Sequence, residues 1–368
     1  MARKLKSDKV LFITALLLVL ASIVMVYSAS AVIARDGIHH DEYHYVTRQA
    51  LFAVLGVAAL AVAMRIDYRL YRSDPFIWGL LGLVSVLLVA VLFGPSVNGA
   101  RRWLRISGLG IQPSELAKIV CVLFAALMLE RRMHRIDDIR YSLLPIGLVV
   151  GVLAFLIYRE PDMGTSASLV LIVSVMTFAA GLSYRHITMG VLIGLPVLAV
   201  AVISEGYRVE RLVAYLDPWA LARTDGYQAV QSQIAVGTGG VFGRGLTEGV
   251  QKLFFLPEPH TDFIYAVIGE ELGLIGATGV LICFCVIAWR GLQIAMRSQD
   301  AFGSLVALGI TTMICVQAFV NISVVLSLLP TKGIPLPLVS SGGSSLLVSL
   351  AAMGILLNIS QHEAAQEG

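Results

Sequence analysis

Apolar residues in this chain fall into long, nearly unbroken blocks, and polar residues, prolines and glycines gather between them. A helix needs about 20 apolar residues to cross the roughly 30 Å hydrocarbon core of a bilayer. Ten blocks meet or approach that length: residues 10–33, 49–64, 76–93, 113–129, 143–158, 165–182, 187–203, 263–289, 301–329 and 343–359. The second, fourth and tenth are the weakest, because each is short or opens on polar residues. The short alternating segments of a transmembrane β-barrel are missing from the sequence. The pattern predicts an all-α, polytopic integral membrane protein of about ten transmembrane helices, with residues 1–368 as a single membrane domain.

Basic residues set the sides. Short cytoplasmic loops carry an excess of Lys and Arg. Arg3, Lys4, Lys6 and Lys9 precede the first block, which is too long for a signal-peptide core. With that end cytoplasmic, the connections holding Arg65, Arg69 and Arg72, then Arg131, Arg132, Arg135 and Arg140, then Arg185, then Arg290 and Arg297 are cytoplasmic too. Arg101, Arg102 and Arg105 run against the bias: either a span is miscounted or they have a task that overrides it, and the second is favoured because the polar, Pro/Gly-marked loops then share one face. The extracytoplasmic loop 204–262, between spans seven and eight, is too long to be idle. Residues 208–222 and 227–236 alternate like amphipathic helices, a pattern suited to the membrane interface.

Composition narrows the classes further. Apolar residues make up 57% of the chain and charged residues 14%, against about 25% charged in a soluble domain. A soluble globule and a disordered chain are both excluded. A formal charge of +3 gives no electrostatic footprint for nucleic acid. Cys121, Cys283, Cys285 and Cys315 lie inside apolar blocks, with neither zinc spacing nor a disulfide framework.

The residues able to do chemistry share the outer face. Asp262 stands where the long loop turns into span eight, beside His260 and near Glu258. It has the chemistry of a general base and equally that of a helix N-cap, and both readings stay open. Glu270 and Glu271 follow two turns further in, and at least one must face protein or water. Asn98-Gly-Ala-Arg-Arg-Trp offers Arg101 and Arg102 as forks for phosphate and Trp103 as a stacking face or an interface anchor. Gln112-Pro-Ser-Glu reads as a helix start, with Glu115 three residues before Lys118, a spacing that allows a pair. Asp162, in Arg159-Glu-Pro-Asp, reads as a turn or cap residue. The segment from Pro330 to Ser345 brings Lys332 as a point charge, and Ser344 lies at the start of span ten, where free N–H groups suit an anion. Cations, an aromatic and one candidate base on one face suit a lipid-linked phosphorylated sugar better than a small ion.

These motifs resemble the SEDS family of bacterial polytopic glycosyltransferases. The resemblance runs over nearly the whole chain. It rests on Val24-Met-Val-Tyr-Ser-Ala-Ser, Asn98-Gly-Ala-Arg-Arg-Trp, Gln112-Pro-Ser-Glu-Leu and Gly226-Tyr-Gln-Ala-Val-Gln-Ser, and on the stretches from Leu256 to Gly273 and from Pro330 to Pro337. The first motif and the Gly269-Glu-Glu ending are closer to the division-type branch than to the elongation type. One departure is Ser341, where the family usually has tyrosine.

The resemblance implies ten spans in the cytoplasmic membrane, both termini cytoplasmic, and an extracytoplasmic active site that polymerises lipid II into glycan strands. It places the family's essential aspartate on Asp262 and family motif positions on Arg101, Arg102, Trp103, Glu115 and Lys332; with Lys118, His260 and Ser344 these are the expected substrate contacts. The implied partners are lipid II, the nascent glycan strand, a class B penicillin-binding protein (a transpeptidase) and other division proteins, with no nucleic acid. The cofactor stays unknown: a divalent cation, Mg or Mn, would suit a pyrophosphate leaving group, yet the sequence has no ligand cluster with metal spacing. A lipid II flippase and a non-catalytic division scaffold are the competing readings.

Overall fold

The computed structural model describes residues 7–36, 40–96, 100–106 and 109–363, apart from the side chains at 105, 106, 109 and 363. Arg3, Lys4, Lys6, Asn98, Gly99 and the Arg105 side chain therefore lie outside the described residues. Every block read as a span is helical. Among the described residues the α-helices in chain order are α1 (Lys9–Asp36), α2 (His44–Ala63), α3 (Asp74–Leu92), α4 (Pro113–Arg132), α5 (Leu144–Arg159), α6 (Met163–Ala179), α7 (Tyr184–Ile203), α8 (Gly206–Leu216), α9 (Tyr227–Gly239), α10 (Ile264–Arg297), α11 (Ala301–Val325) and α12 (Gly343–Glu363). A hairpin of β1 (Leu104–Ile106) and β2 (Leu109–Ile111) pairs Leu104 with Ile111 just ahead of α4.

Among the described residues, eight helices are long and apolar enough to cross a membrane: α1, α2, α3, α5 with the turn before it, α7, α10, α11 and α12. The two that fall short do so for different reasons. α6 is apolar but only 17 residues long. α4 carries Glu115 and Lys118, and nearly all of it from Pro113 to Leu129 is buried. A helix buried all round sits at the centre of a bundle, where its charges meet protein and not lipid. α3, α6 and α11 pack around it, and α12 closes the bundle against α2. α7 buries none of its residues, which leaves its circumference to lipid.

The long loop departs from expectation in two ways. The first amphipathic helix stops at Leu216, because Pro218 disfavours helical geometry at Asp217. α9 does not lie along the interface. Ala229, Val230, Ser232, Ala235 and Gly239 are buried, α9 packs against α10 and α11, and Ser232 Oγ donates to Val325 O at 2.7 Å. Small side chains on one face let α9 approach the bundle closely. α10 is broken at Gly273, whose φ of +65° is accessible to glycine and strained for other residues.

Candidate functional site

Two loops make the site, and polar side chains inside the bundle hold them. Lys118 Nζ donates to Glu115 Oε1 at 2.9 Å and to Gln317 Oε1 at 2.6 Å. Gln317 Nε2 in turn donates to Pro335 O at 2.9 Å. One turn along α11, Asn321 Nδ2 donates to Asp262 O at 2.7 Å and to Ile334 O at 2.8 Å, so one amide ties both loops. Ser340 Oγ donates to Thr261 O at 2.5 Å and Ser341 N to His260 O at 2.9 Å. The result is close contact at Gly333: a Cβ there would lie 2.8 Å from Asp262 Oδ2.

The structure removes one of the two readings of Asp262, the helix cap. α10 starts at Ile264, its N-cap position is Phe263, and no side chain caps it. Asp262 therefore does no capping. Its carboxyl is largely enclosed, accepts no hydrogen bond among the described residues, and has its pKa pushed up to about 7. Burial is the main cause, the Glu258 carboxylate adds to it, Arg102 and Arg211 pull the other way, and Asp162 raises it further. A carboxylate poised near neutral pH is matched to proton abstraction. His260 is buried with its ring 4.3 Å from that of Tyr45, and burial lowers its pKa while the Glu258 carboxylate opposes the shift. Its ring packs the loop against Tyr45.

Arg102 and Arg211 act on the carboxyl, and Arg208 and Lys332 form a second pair of charges near them. Arg102 Nε donates to Glu160 O at 3.0 Å, and a second guanidinium nitrogen donates to Pro161 O. Lys332 is half-buried, its ammonium has no hydrogen-bond partner among the described residues, and its pKa is lowered by burial while Asp162 opposes the shift. Arg211 reaches from α8 to Thr331 O at 3.4 Å. Arg208, three residues earlier on the same face, bonds Tyr158 Oη at 2.9 Å and stacks on its ring. The sequence analysis identified α8 only as amphipathic. The i, i+3 spacing of its arginines was the available signal, but the loop that Arg211 meets is 120 residues away in sequence.

Five sequence-based substrate contacts besides His260 are placed otherwise. Arg101 is exposed and donates to Leu92 O at 2.9 Å, holding the end of α3. The Trp103 ring packs against Gly110 of the hairpin. Glu115 and Lys118 are both 4% exposed and form a buried pair beneath the loops, where they brace Gln317. Ser344 is buried and its hydroxyl is engaged, accepting from Gln112 N at 3.0 Å and donating to Gly110 O at 2.9 Å. It locks the hairpin onto α12. Only Arg102 and Lys332, of the expected contacts, join Asp262. Asp162 is the N-cap read from the sequence, accepting from Thr165 N at 3.1 Å, and Gln112 Nε2 also reaches it at 3.3 Å.

Glu160 is a site residue that sequence reasoning missed. It is fully buried, and neither carboxyl oxygen has a hydrogen-bond partner. Burial and the nearby Asp162 carboxylate push its pKa up to about 8, against a partial offset from Arg102. Between the unfolded value, about 4.3, and 8, the folded chain holds a proton that the unfolded chain has released. Stability is therefore lost as pH rises through that window. Glu160→Gln keeps the shape and removes the titration. Its melting temperature is expected to exceed that of the parent most at pH 8 and to converge on it near pH 5. Thermal unfolding in detergent checks this, and a variant that melts lower at pH 8 contradicts it.

Among the described residues, no group of three or more His, Cys, Asp or Glu side chains is placed to hold a metal ion. The divalent cation left open by the sequence finds no protein ligand set here. The charge available to a phosphorylated group comes from Arg102, Lys332, Arg208 and Arg211. The arrangement can accept one proton at Asp262 and neutralise an anion beside it.

Residues 8–365 match a family model described as a cell cycle protein, that of FtsW, RodA and SpoVE. A probable peptidoglycan glycosyltransferase FtsW from Geobacter metallireducens is 43% identical over 355 residues, 96% of this chain and 94% of the relative. Stage V sporulation protein E of Bacillus subtilis is 42% identical over 367 residues, 98% of each chain. Among solved structures, a chain from a peptidoglycan synthase complex that coordinates polymerization and crosslinking aligns with a TM-score of 0.80 at 28% identity, covering 98% of this chain and 99% of that one. The rod shape determining protein RodA of Thermus thermophilus aligns with a TM-score of 0.72 at 27% identity, covering 98% of both.

Proposed function

The chain belongs to the FtsW/RodA/SpoVE family of cell cycle proteins and acts as a peptidoglycan glycosyltransferase; from that premise we propose that it polymerises lipid II during cell division, with Asp262 as the base. The observation that carries the reading is the Asp262 carboxyl: it caps no helix, has its pKa pushed up to about 7 by its surroundings, and lies beside Gly333, the chain neighbour of Lys332, with the Arg102 charge acting on it.

In the reaction, Asp262 takes the proton of the acceptor GlcNAc 4-hydroxyl. The hydroxyl oxygen bonds to the anomeric carbon of the donor, the bond from that carbon to the phosphate oxygen breaks, and undecaprenyl pyrophosphate departs with the electron pair. One displacement inverts the anomeric centre. The leaving group needs cations and not a second carboxylic acid, unlike glycoside hydrolysis, where two carboxyl groups work together. Arg102 is pre-oriented for this by the Glu160 and Pro161 carbonyls, and Lys332 has its ammonium uncommitted. The site lies at the helix ends, which leaves the polyprenyl tail in lipid and the sugars in water.

The same reading puts the protein in the cytoplasmic membrane with both termini inside and Asp262 outside. Its partner is a class B penicillin-binding protein, within a larger division assembly. A flippase would need the polar residues of its spans free along a path. Lys118, Glu270, Gln317 and Asn321 are instead committed to holding loops. Purified protein in liposomes with labelled lipid II is expected to form glycan strands. Label crossing the bilayer without polymer would support the flippase instead, and neither outcome would leave the scaffold.

A further inference from the structure

The loop that carries Asp262 is fixed at its other end by a cluster that the reaction does not touch. Residues 240–252 lie against the break in α10. Leu274 N donates to Gly240 O and Ile275 N to Val241 O, while Arg244 N and Gly245 N donate to Glu270 O and Glu271 O. The loop thereby supplies backbone partners that the break removes from the helix. The two glutamates then satisfy its next turn: Thr247 N donates to Glu271 Oε2 at 3.1 Å, and Val250 N to Glu270 Oε1 at 2.8 Å.

Both carboxylates are buried, and charge in such a place persists only when paired. Arg244 lies 3.7 Å from Glu270 Oε1, and Lys252, itself 4% exposed, pairs with Glu271: its Nζ lies 2.5 Å from Glu271 Oε1 and donates to Ser28 Oγ at 2.8 Å and Thr247 O at 2.9 Å. Ser28 belongs to α1, and its Oγ lies 2.7 Å from both Glu271 oxygens. Three segments thus meet at one ion pair ten residues before Asp262. Between the two, Leu256 is buried and its N donates to Gln251 O at 2.8 Å.

We propose that Lys252 and Glu271 are positioning residues: their ion pair, closed by Ser28 of α1, clamps the root of the loop and keeps Asp262 enclosed against Gly333. The proposal rests on the reading of Asp262 as the base. A single substitution leaves an uncompensated buried charge and tests folding alone, so the variant of choice is Lys252→Met with Glu271→Gln. The amide still accepts from Thr247 and Ser28, and both charges are gone.

The double variant is expected to insert, to melt close to the parent and to bind lipid II as well as it does. It should polymerise at least about 10-fold more slowly. The acid limb of its rate profile should move from near 7 towards the ordinary carboxylate range, because a loosened loop admits water to Asp262. A parent-like rate overturns the proposal. So does a slower rate with an unmoved acid limb, which is what a purely structural pair would give. If the double variant does not accumulate, Ser28→Ala decides on the same two readouts, since it opens the clamp without leaving an unpaired charge. Asp262→Asn is run alongside. If it polymerises, the base assignment falls and the clamp with it; if it is inactive while the double variant behaves as the parent, only the clamp falls.

Discussion

Asp262→Asn is expected to cut glycan formation by about 10²–10⁴-fold while leaving the protein folded and able to bind lipid II. The substitution isolates the proton. Asparagine matches aspartate in size and caps helices about as well. The backbone carbonyl that Asn321 grips is untouched, so the two loops stay laced together. The side chain makes no hydrogen bond among the described residues that an amide would break. An amide cannot take the acceptor's proton. Polymer length and yield from purified protein, with thermal unfolding of the same sample, check the pair of expectations. A well-folded variant with the parent's yield would remove the assignment.

Lys332→Ala is expected to lower the maximal rate by about 10²-fold at saturating acceptor, the scale at which losing one electrostatic contact to a developing charge is felt. Lys332 is the cleaner of the two cations to remove. Its ammonium has no hydrogen-bond partner among the described residues and its backbone bond from Ile334 N survives the substitution, so the fold is left nearly unchanged. Lys332→Arg retains charge and should recover part of the rate. Arg102 behaves differently, because its fork holds two backbone carbonyls as well as facing the site. Lysine lacks that planar fork, so Arg102→Lys should recover little. Steady-state rates of the three variants, with their melting temperatures, separate charge from geometry. Equal rates for Lys332→Ala and the parent would assign the leaving group's charge elsewhere.

Much of the architecture was legible because hydropathy is a local signal. All ten apolar blocks became helices, and α4 begins at Pro113, where proline followed by Glu115 predicted it. The Glu115–Lys118 pair followed from spacing alone. What the pair does was not legible, since its working contact is with Gln317, 199 residues away from Lys118. The same reason hid the clamp, in which Ser28 and Glu271 are 243 residues apart. α9 was misplaced at the interface because alternation along a chain does not tell water from a neighbouring helix. Asp262 was ambiguous for a different reason. Base and cap call for the same residue at the same place, and the cap reading ended with the start of α10 two residues later and no capping bond.

The central claim is that Asp262 takes the acceptor's proton from an enclosed position that holds its pKa near neutrality. The pH dependence of kcat/KM for lipid II polymerisation tests it most directly, because that ratio reports the ionisations of the free enzyme. The base must be ionised, so the rate should rise with pH through an acid limb near 7. In Glu258→Gln, which removes a neighbouring carboxylate that raises Asp262, the limb should move to lower pH. A limb near 4, an ordinary aspartate's value, or one that ignores Glu258 would contradict the account.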